Sequence, residues 1–276
     1  MTVINNPKVS IGIPTYNRSS YLKKAIDSAL GQTHKNLEII VSNNGSNDDT
    51  AEILLNYSDE RLTVINHKIN SGMLFNFNSC LSAATGEFFL LLSDDDILAN
   101  YAIEKLLAGF INDTITVSYG RVSYLRDGDI KKSQESYDAP RVERGSELLE
   151  NILKYKRVAF PSATMFRTMA AKKLGGYPNV GLSTDFGILA LLSIHNYVFF
   201  SSKVIVQIRI HDDNLSLSED SILSQIELLN WVNNNTVLNN ILKEPINKYC
   251  KKNIYNWGKH CALIGKRKKS ALAESS

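Results

Sequence analysis

Three consecutive carboxylates, Asp94, Asp95 and Asp96, close the stretch E-F-F-L-L-L-S-D-D-D that starts at Glu87. Adjacent aspartates repel one another, so such a cluster needs a cation to be worth keeping. A divalent metal carrying a phosphate is the natural candidate. The competing explanation is that the triplet caps a helix starting near Leu98, because aspartate before an apolar-periodic run is a common start signal. Two other stretches could do chemistry. Thr15, Tyr16, Asn17 and Arg18 offer a ring able to stack on a base and a guanidinium able to meet phosphate, although a solvated loop would look the same. Asp185 heads the apolar segment T-D-F-G-I-L-A-L-L, where helix capping alone would explain an aspartate.

The elements that must position these groups are readable from periodicity. Phe88 to Leu92 is too short for a globular helix but suits a strand buried on both faces, and open α/β sheets bind ligands at the carboxyl ends of such strands. Val9 to Ile13 alternates into a strand that Pro14 ends, and Ser19 or Ser20 can cap a helix with Leu22, Ala25, Ile26, Ala29 and Leu30 on its apolar side. Further strands are expected at Leu37 to Val41 and Leu62 to Asn66, and helices around Asp49 to Tyr57, Leu74 to Ala84 and Tyr101 to Phe110. This alternation predicts right-handed crossovers and a parallel sheet, hence an α/β fold. From Ile115 the pattern changes to strands with polar breaks, including Val117 to Leu125 and a turn at Asp127 to Asp129. A helix over Gly145 to Tyr155, a loop at Gly175 to Pro178 and a β-rich run over Tyr197 to Ile210 follow. The last sixty residues read as helical, with a weak point at Asn233 to Asn235. There Ile246, Cys250, Ile254, Trp257, Cys261 and Ile264 recur at helix spacing opposite Lys248, Lys251, Lys252 and Lys259.

Composition excludes several classes. At 276 residues and 43% hydrophobic, the chain can bury a full core as one large α/β domain or two packed halves. The first strand-to-helix turn has only Gly12 where a dinucleotide fingerprint needs three glycines, and no Walker lysine loop occurs. Cys80, Cys250 and Cys261 fit neither a disulfide framework nor a zinc site, which points to a reducing, cytoplasmic setting. Met1 to Lys8 is polar, and Ile188 to Phe200 is interrupted by Ser193, His195 and Asn196, so neither secretion nor a membrane span is expected. The net charge of +3 is concentrated: residues 241–276 hold nine Lys/Arg against two Glu, leaving the remainder slightly acidic and disfavouring nucleic acid as a partner. Lys266, Arg267, Lys268 and Lys269, after an amphipathic stretch with Trp257, would bring the chain to an anionic membrane surface; a solvated terminus is the plainer reading.

Taken together, V-S-I-G-I-P-T-Y-N-R, S-A-L-G-Q-T-H-K-N-L-E-I-I-V-S-N-N-G-S-N-D-D-T and G-E-F-F-L-L-L-S-D-D-D resemble, in order and spacing, the nucleotide-sugar half of family 2 glycosyltransferases with the GT-A fold. The resemblance implies a mostly parallel GT-A sheet flanked by helices, with a nucleotide-sugar half at 1–112, an acceptor half at 113–216 and a helical extension at 217–276. It implies a donor site of Pro14, Thr15, Tyr16, Arg18, Asn43, Asp94 and Asp95, and a metal, Mn2+ or Mg2+, on Asp96. Arg209-Ile210-His211 resembles the family's late R-x-H segment, which would put His211 on the metal or the diphosphate. Relatives usually carry aspartate where this chain has Asn43. An amide still accepts a hydrogen bond from a pyrimidine ring N–H, without the charge assistance, so UDP is expected and dTDP close behind. The Asn44-Gly45-Ser46 turn would form whatever it binds. The family also places a catalytic carboxylate, often in an acidic pair, after a glycine-rich loop; here Thr184 replaces the first acid and Asp185 is left as the base. The Q-x-x-R-W signature of processive synthases is absent. The implied activity is an inverting transfer of one sugar to a hydroxyl of a saccharide or lipid-linked saccharide, as in bacterial surface polysaccharide assembly. The rivals are a sugar nucleotidyltransferase, which would favour a glycine-rich basic loop after the first strand, and a catalytically inactive nucleotide-sugar-binding subunit, hinted at by Asn43 and Thr184.

Overall fold

The computed structural model describes residues 6–126, 129–132, 139–211 and 220–252. The chain divides into two compact units, Met1–Asn179 with Thr184–Asp212, and Val180–Ser183 with Asp213–Ser276. In the first unit β1 (Val9–Thr15), α1 (Ser19–Leu30), β2 (Leu37–Asn43), α2 (Thr50–Leu55), β3 (Leu62–Asn66), α3 (Met73–Ala83) and β4 (Phe88–Leu91) alternate as the periodicity predicts. These four strands lie side by side in the order β3-β2-β1-β4, all parallel.

After β4 come β5 (Ile97–Leu98), α4 (Ala102–Leu107), β6 (Ile115–Arg126), β7 (Asp129–Lys132), β8 (Arg141–Arg144), α5 (Gly145–Leu153), a 3-10 turn (Pro161–Ala163), β9 (Thr164–Arg167), α6 (Thr168–Lys173), α7 (Thr184–Ser193) and β10 (Tyr197–Arg209). The sheet continues past β4 as β9-β6-β10-β5, with β7 on β6 and β8 on β10. Here it is mixed: β6 and β10 are parallel, while β9 runs antiparallel to both β4 and β6. An antiparallel wedge needs no helical crossover on each side, so the regular strand-helix rhythm ends at β4.

Packing fixes the first half tightly. Ile11, Ile13, Leu22, Ile26, Ile39, Leu90 and Met165 belong to one buried cluster. At the other approach to β1 a Cβ on Gly12 would stand 2.7 Å from Cys80 Cβ of α3, so only glycine lets that helix come this close. Glu38 of β2 binds the chain ahead of β4: it accepts from Lys8 Nζ at 2.6 Å, from the Thr85 N–H and hydroxyl, from the Gly86 N–H and from Ser10 Oγ. Burial alone would raise this carboxyl, but those hydrogen bonds overcome it and hold it at about 2.

Three local expectations are corrected. No helix starts near Leu98: Ile97–Leu98 pairs antiparallel with Val206 and Gln207 of β10, and α4 begins only at Ala102, so Asp94–Asp96 is not a helix cap. β1 does not end at Pro14 but runs to Thr15, paired with Asn43. Gly12 turns its carbonyl to Leu92 on the β4 side, and Pro14, two residues on, faces the same way where that ladder has ended, so its missing N–H costs no bond. Nor does Ser19 or Ser20 cap α1. Arg18 holds the cap position, and Asp48 Oδ2 accepts the Ser19 N–H at 2.9 Å from the next loop.

In the second unit α8 (Asp220–Asn234) breaks at Asn235, whose side chain accepts the Leu238 N–H at 3.0 Å, and helix resumes over 236–252. The break falls where the asparagine run predicts one. Leu228, Val232, Leu238, Leu242, Ile246 and Cys250 are buried. Ile254, Trp257, Cys261, Ile264 and the basic run Lys266 to Lys269 lie outside the described residues, as do Asp127 and Gly128 of the expected turn. No helix among the described residues is long and apolar enough to cross a membrane.

Candidate active site

The loops leaving the carboxyl ends of β1 and β2 are tied to each other. The Asn17 N–H donates to Ser46 Oγ at 3.0 Å and the Asn47 N–H to Asn17 Oδ1 at 2.9 Å, with Asn17 itself in a left-handed conformation, φ 53°. Asparagine tolerates that geometry through such local bonds. Gly45 also needs positive φ, 72°, and a Cβ there would stand 2.6 Å from the Ile69 backbone. Asn43 is buried; its carbonyl oxygen accepts the Ser46 N–H at 3.1 Å and its amide donates to Asn66 at 3.0 Å. Asn44 donates to Asn70 and Gly72 and accepts from the Ser71 N–H, which holds the loop before α3. Thr15 is buried, its carbonyl accepting from the Asn44 N–H and the Asn76 amide. Tyr16 stands 41% exposed beside this frame, with its ring available to a flat partner.

The carboxylate cluster lies one strand over, at the end of β4. Its partners come from the far end of β10 and from the 3-10 turn. His211 Nε2 is 2.9 Å from Asp95 Oδ2. The Arg209 N–H donates to Asp96 Oδ1 at 3.1 Å, and its Nε to the Asp95 carbonyl at 3.1 Å. Tyr21 of α1 stacks on His211 at 5.2 Å and lies under the Arg209 guanidinium at 5.0 Å. Asp96, 4% exposed, also accepts from Ser162 Oγ at 2.6 Å. Burial pushes Asp96 up to about 7, with the Asp95 charge adding and the Ser162 and Arg209 hydrogen bonds opposing. Burial raises Asp94 to about 7 as well, with Asp95 adding to it while the Thr15 hydroxyl and the Arg18 charge pull it back.

This arrangement differs from the expectation for Asp96, whose two oxygens are turned inward onto Ser162 and Arg209. Asp95 is the carboxylate that meets His211. No three His, Cys, Asp or Glu side chains among the described residues converge as a complete metal-holding set. A Mg2+- or Mn2+-type ion does not need one, because it takes one or two protein donors and completes its shell with water and substrate phosphate. An oxygen and an imidazole nitrogen 2.9 Å apart, beside two further carboxylates, fit that requirement.

A second group of residues forms a cleft around Asp185. Asp185 is the second residue of α7 and accepts the Phe186 N–H at 2.8 Å; burial raises its carboxyl, opposed by that bond. It therefore sits inside the first turn rather than at the cap position expected of it. Val117, Pro161, Phe166, Tyr177, Ile188 and Leu189 share the cleft with it. The 3-10 turn joins the two groups, since Pro161 walls the cleft while Ser162 holds Asp96. The loop ahead of α7 is clamped from α3: Asn78 accepts the Tyr177 N–H at 2.8 Å and donates to the Tyr177 carbonyl at 3.1 Å. Asn78, Ser162 and Asp48 had no sequence signal beyond residue type, because their partners are 99, 66 and 29 positions away.

Comparison with known proteins identifies the class. Residues 10–175 match the family described as glycosyl transferase family 2. The chain belongs to that family. An uncharacterized glycosyltransferase of Rickettsia typhi is 30% identical over 234 residues, 80% of this chain and 69% of the relative. The GalNAc(5)-diNAcBac-PP-undecaprenol beta-1,3-glucosyltransferase of Campylobacter jejuni is 34% identical over 145 residues, 51% of this chain and 46% of that one. The match to an uncharacterized glycosyltransferase of Rickettsia bellii spans 86% of this chain but 34% of the relative, so the chain spans well under the full length of several curated relatives. The fold is the GT-A type. It is shared with S. aureus TarS in complex with UDP-GlcNAc, at TM-score 0.65 and 21% identity over 81% of this chain and 67% of that one. It is shared also with the mannosyltransferase PcManGT of Pyrobaculum calidifontis in complex with GDP-Man and Mn2+, at TM-score 0.66 and 14% identity over 98% and 81%.

Proposed function

We propose that this chain is an inverting, metal-dependent glycosyltransferase that moves one sugar from a UDP- or dTDP-linked donor to a hydroxyl of a saccharide or lipid-linked saccharide. The observation that carries the reading is the meeting of Asp95 and His211 beside Asp94 and Asp96, one strand from a loop that offers Tyr16 and Arg18. Tyr16 stacks on the base, Asn43 accepts from its ring N–H through the free lone pair of its carbonyl oxygen, and Arg18 with Asp94 frames the ribose and diphosphate. A divalent ion held by Asp95 and His211 would supply positive charge to offset the diphosphate. Asp96, held by Ser162 and the Arg209 N–H, orients this pair from beneath. Asp185 takes the proton from the acceptor hydroxyl as that oxygen bonds to the anomeric carbon and the bond from that carbon to the diphosphate breaks. The sugar is attacked from the face opposite the nucleotide.

Similar proteins support this reading: TarS forms a complex with UDP-GlcNAc, PcManGT forms one with GDP-Man and Mn2+, and the Campylobacter jejuni relative is a glucosyltransferase named for a PP-undecaprenol-linked saccharide. A lipid-linked acceptor would place the chain at the inner face of an anionic membrane, where its basic tail would act.

The test is donor turnover by the full chain with UDP- and dTDP-sugars, with MnCl2 or with EDTA, and with Asp95→Asn and His211→Ala. Donor hydrolysis or transfer is expected with metal, and both variants should lose about a hundredfold or more. Equal turnover in EDTA removes the metal from the reading. Tight nucleotide binding with neither hydrolysis nor transfer would favour a binding subunit instead.

A further inference from the structure

The cleft beside Asp185 is chemically one-sided. It is a half-open recess with about 340 Å³ of empty space, counting its mouth. Val117 and Phe166, paired across β6 and β9, form its floor, Ile188 and Leu189 of α7 one wall, and Pro161 and Ala159 another. Thr164 also borders it, but its hydroxyl is engaged, donating to the Phe160 carbonyl at 2.8 Å. Apart from the Tyr177 hydroxyl, Asp185 is the side chain there with polar chemistry to offer. A sugar hydroxyl pressed against the Val117, Phe166, Ile188 and Leu189 side of the recess gives up its water partners and finds none there, whereas an apolar group gains by leaving water.

We propose that this recess is a subsite for a methyl-bearing substituent of the acceptor sugar, seated next to the hydroxyl presented to Asp185. The inference rests on the acceptor-side role of Asp185 given above. Two sources carry the same chemistry: the methyl of an N-acetyl group and the C6 methyl of a 6-deoxy sugar. Specificity for the acceptor then comes from Val117, Phe166, Ile188 and Leu189, while Asp185 handles the proton. A single methyl in an apolar pocket discriminates by about tenfold or more.

Saturation-transfer NMR on the full chain with UDP and MnCl2 tests this, using glucose, 6-deoxyglucose and N-acetylglucosamine as matched probes. The expected result is strongest transfer to the methyl protons of one methyl-bearing sugar, with that sugar binding about tenfold more tightly than glucose. The sugar that wins identifies the source. Ala159→Leu fills the mouth from a half-buried position and should abolish the preference, and Val117→Thr, which keeps shape while adding a hydroxyl, should weaken it; circular dichroism melts check that both fold. Glucose binding as tightly as both others, no binding by any of the three, or a preference unchanged in Ala159→Leu would overturn the subsite. Asp185→Asn separates this from the catalytic reading, because it should keep the methyl preference whatever it does to turnover.

Discussion

At the scale of single residues, the site sets carboxylates in different environments and so gives them different tasks. Asp185→Asn keeps the hydrogen bond to the Phe186 N–H but cannot take a proton, so transfer should fall by about a hundredfold or more with UDP affinity unchanged. Single-turnover kinetics beside calorimetry checks it, and wild-type turnover in the folded variant would leave Asp185 with only its bond to the first turn of α7. Asp94 and Asp96 behave differently, being raised from 3.8 to about 7 in the folded chain. Their folded form holds protons that the unfolded chain releases, so this contribution is complete below about pH 3.8 and is lost as pH rises through about 7. Cation binding competes with the same protons and strengthens over that range. Thermal melts of the chain at pH 5 and pH 8 should therefore show a larger gain from MnCl2 at pH 8. A gain independent of pH would mean that ion binding does not sense the charge on these two carboxylates. The sequence pointed to the triplet and to His211, but it could not tell which aspartate meets the imidazole. That choice is made by Ser162 and the Arg209 N–H, which turn Asp96 inward.

At the scale of elements, α3 serves both substrates of the proposed transfer. Asn76 supports the donor loop through the Thr15 carbonyl, Ser79 meets His67 at 2.9 Å under β2, and Asn78 clamps the Tyr177 backbone at the acceptor cleft. Removing the clamp with Asn78→Ala should lower kcat about tenfold and cost about 1 kcal/mol per lost hydrogen bond, with little change in nucleotide affinity. Asn78→Asp retains the bond from the Tyr177 N–H and should recover part of kcat. An equal loss of UDP affinity would show that α3 acts through overall stability. Most elements of this half were legible because each writes its own period: strands of four to seven residues between amphipathic helices. β5 was not. Two residues carry no period, and Ile97–Leu98 becomes a strand because Val206 and Gln207, more than a hundred positions later, offer an edge. The cap of α1 failed for the same reason, since Asp48 reaches it across a loop contact that no local pattern encodes.

At the scale of the whole molecule, the parallel and mixed halves share one sheet, so the proposed donor and acceptor sides are joined by backbone hydrogen bonds. The mixed half is held by buried charge as well as by apolar packing: Arg157 donates to Tyr119 and Glu143, with Arg141 on the other Glu143 oxygen. The basic run Lys266 to Lys269 adds a separate expectation, worth on the order of 1 kcal/mol per cation near anionic lipid. The full chain should float with anionic vesicles and be released by salt, and a chain ending at Gly265 should not. Equal recovery of both would leave the run without that role. The route of β10 has a consequence for how the protein is made. It is the last strand of the sheet in chain order among the described residues, and it brings Arg209 and His211 to aspartates synthesised more than a hundred residues earlier. Domains form on the ribosome from the N-terminus as the chain emerges. The loops after β1 and β2 can therefore assemble early, while β6 waits with an open edge and Asp95 lacks its imidazole partner until β10 leaves the exit tunnel. A nascent chain is inert until then, and the interval in which β6 is open is the time at which a chaperone has most to protect.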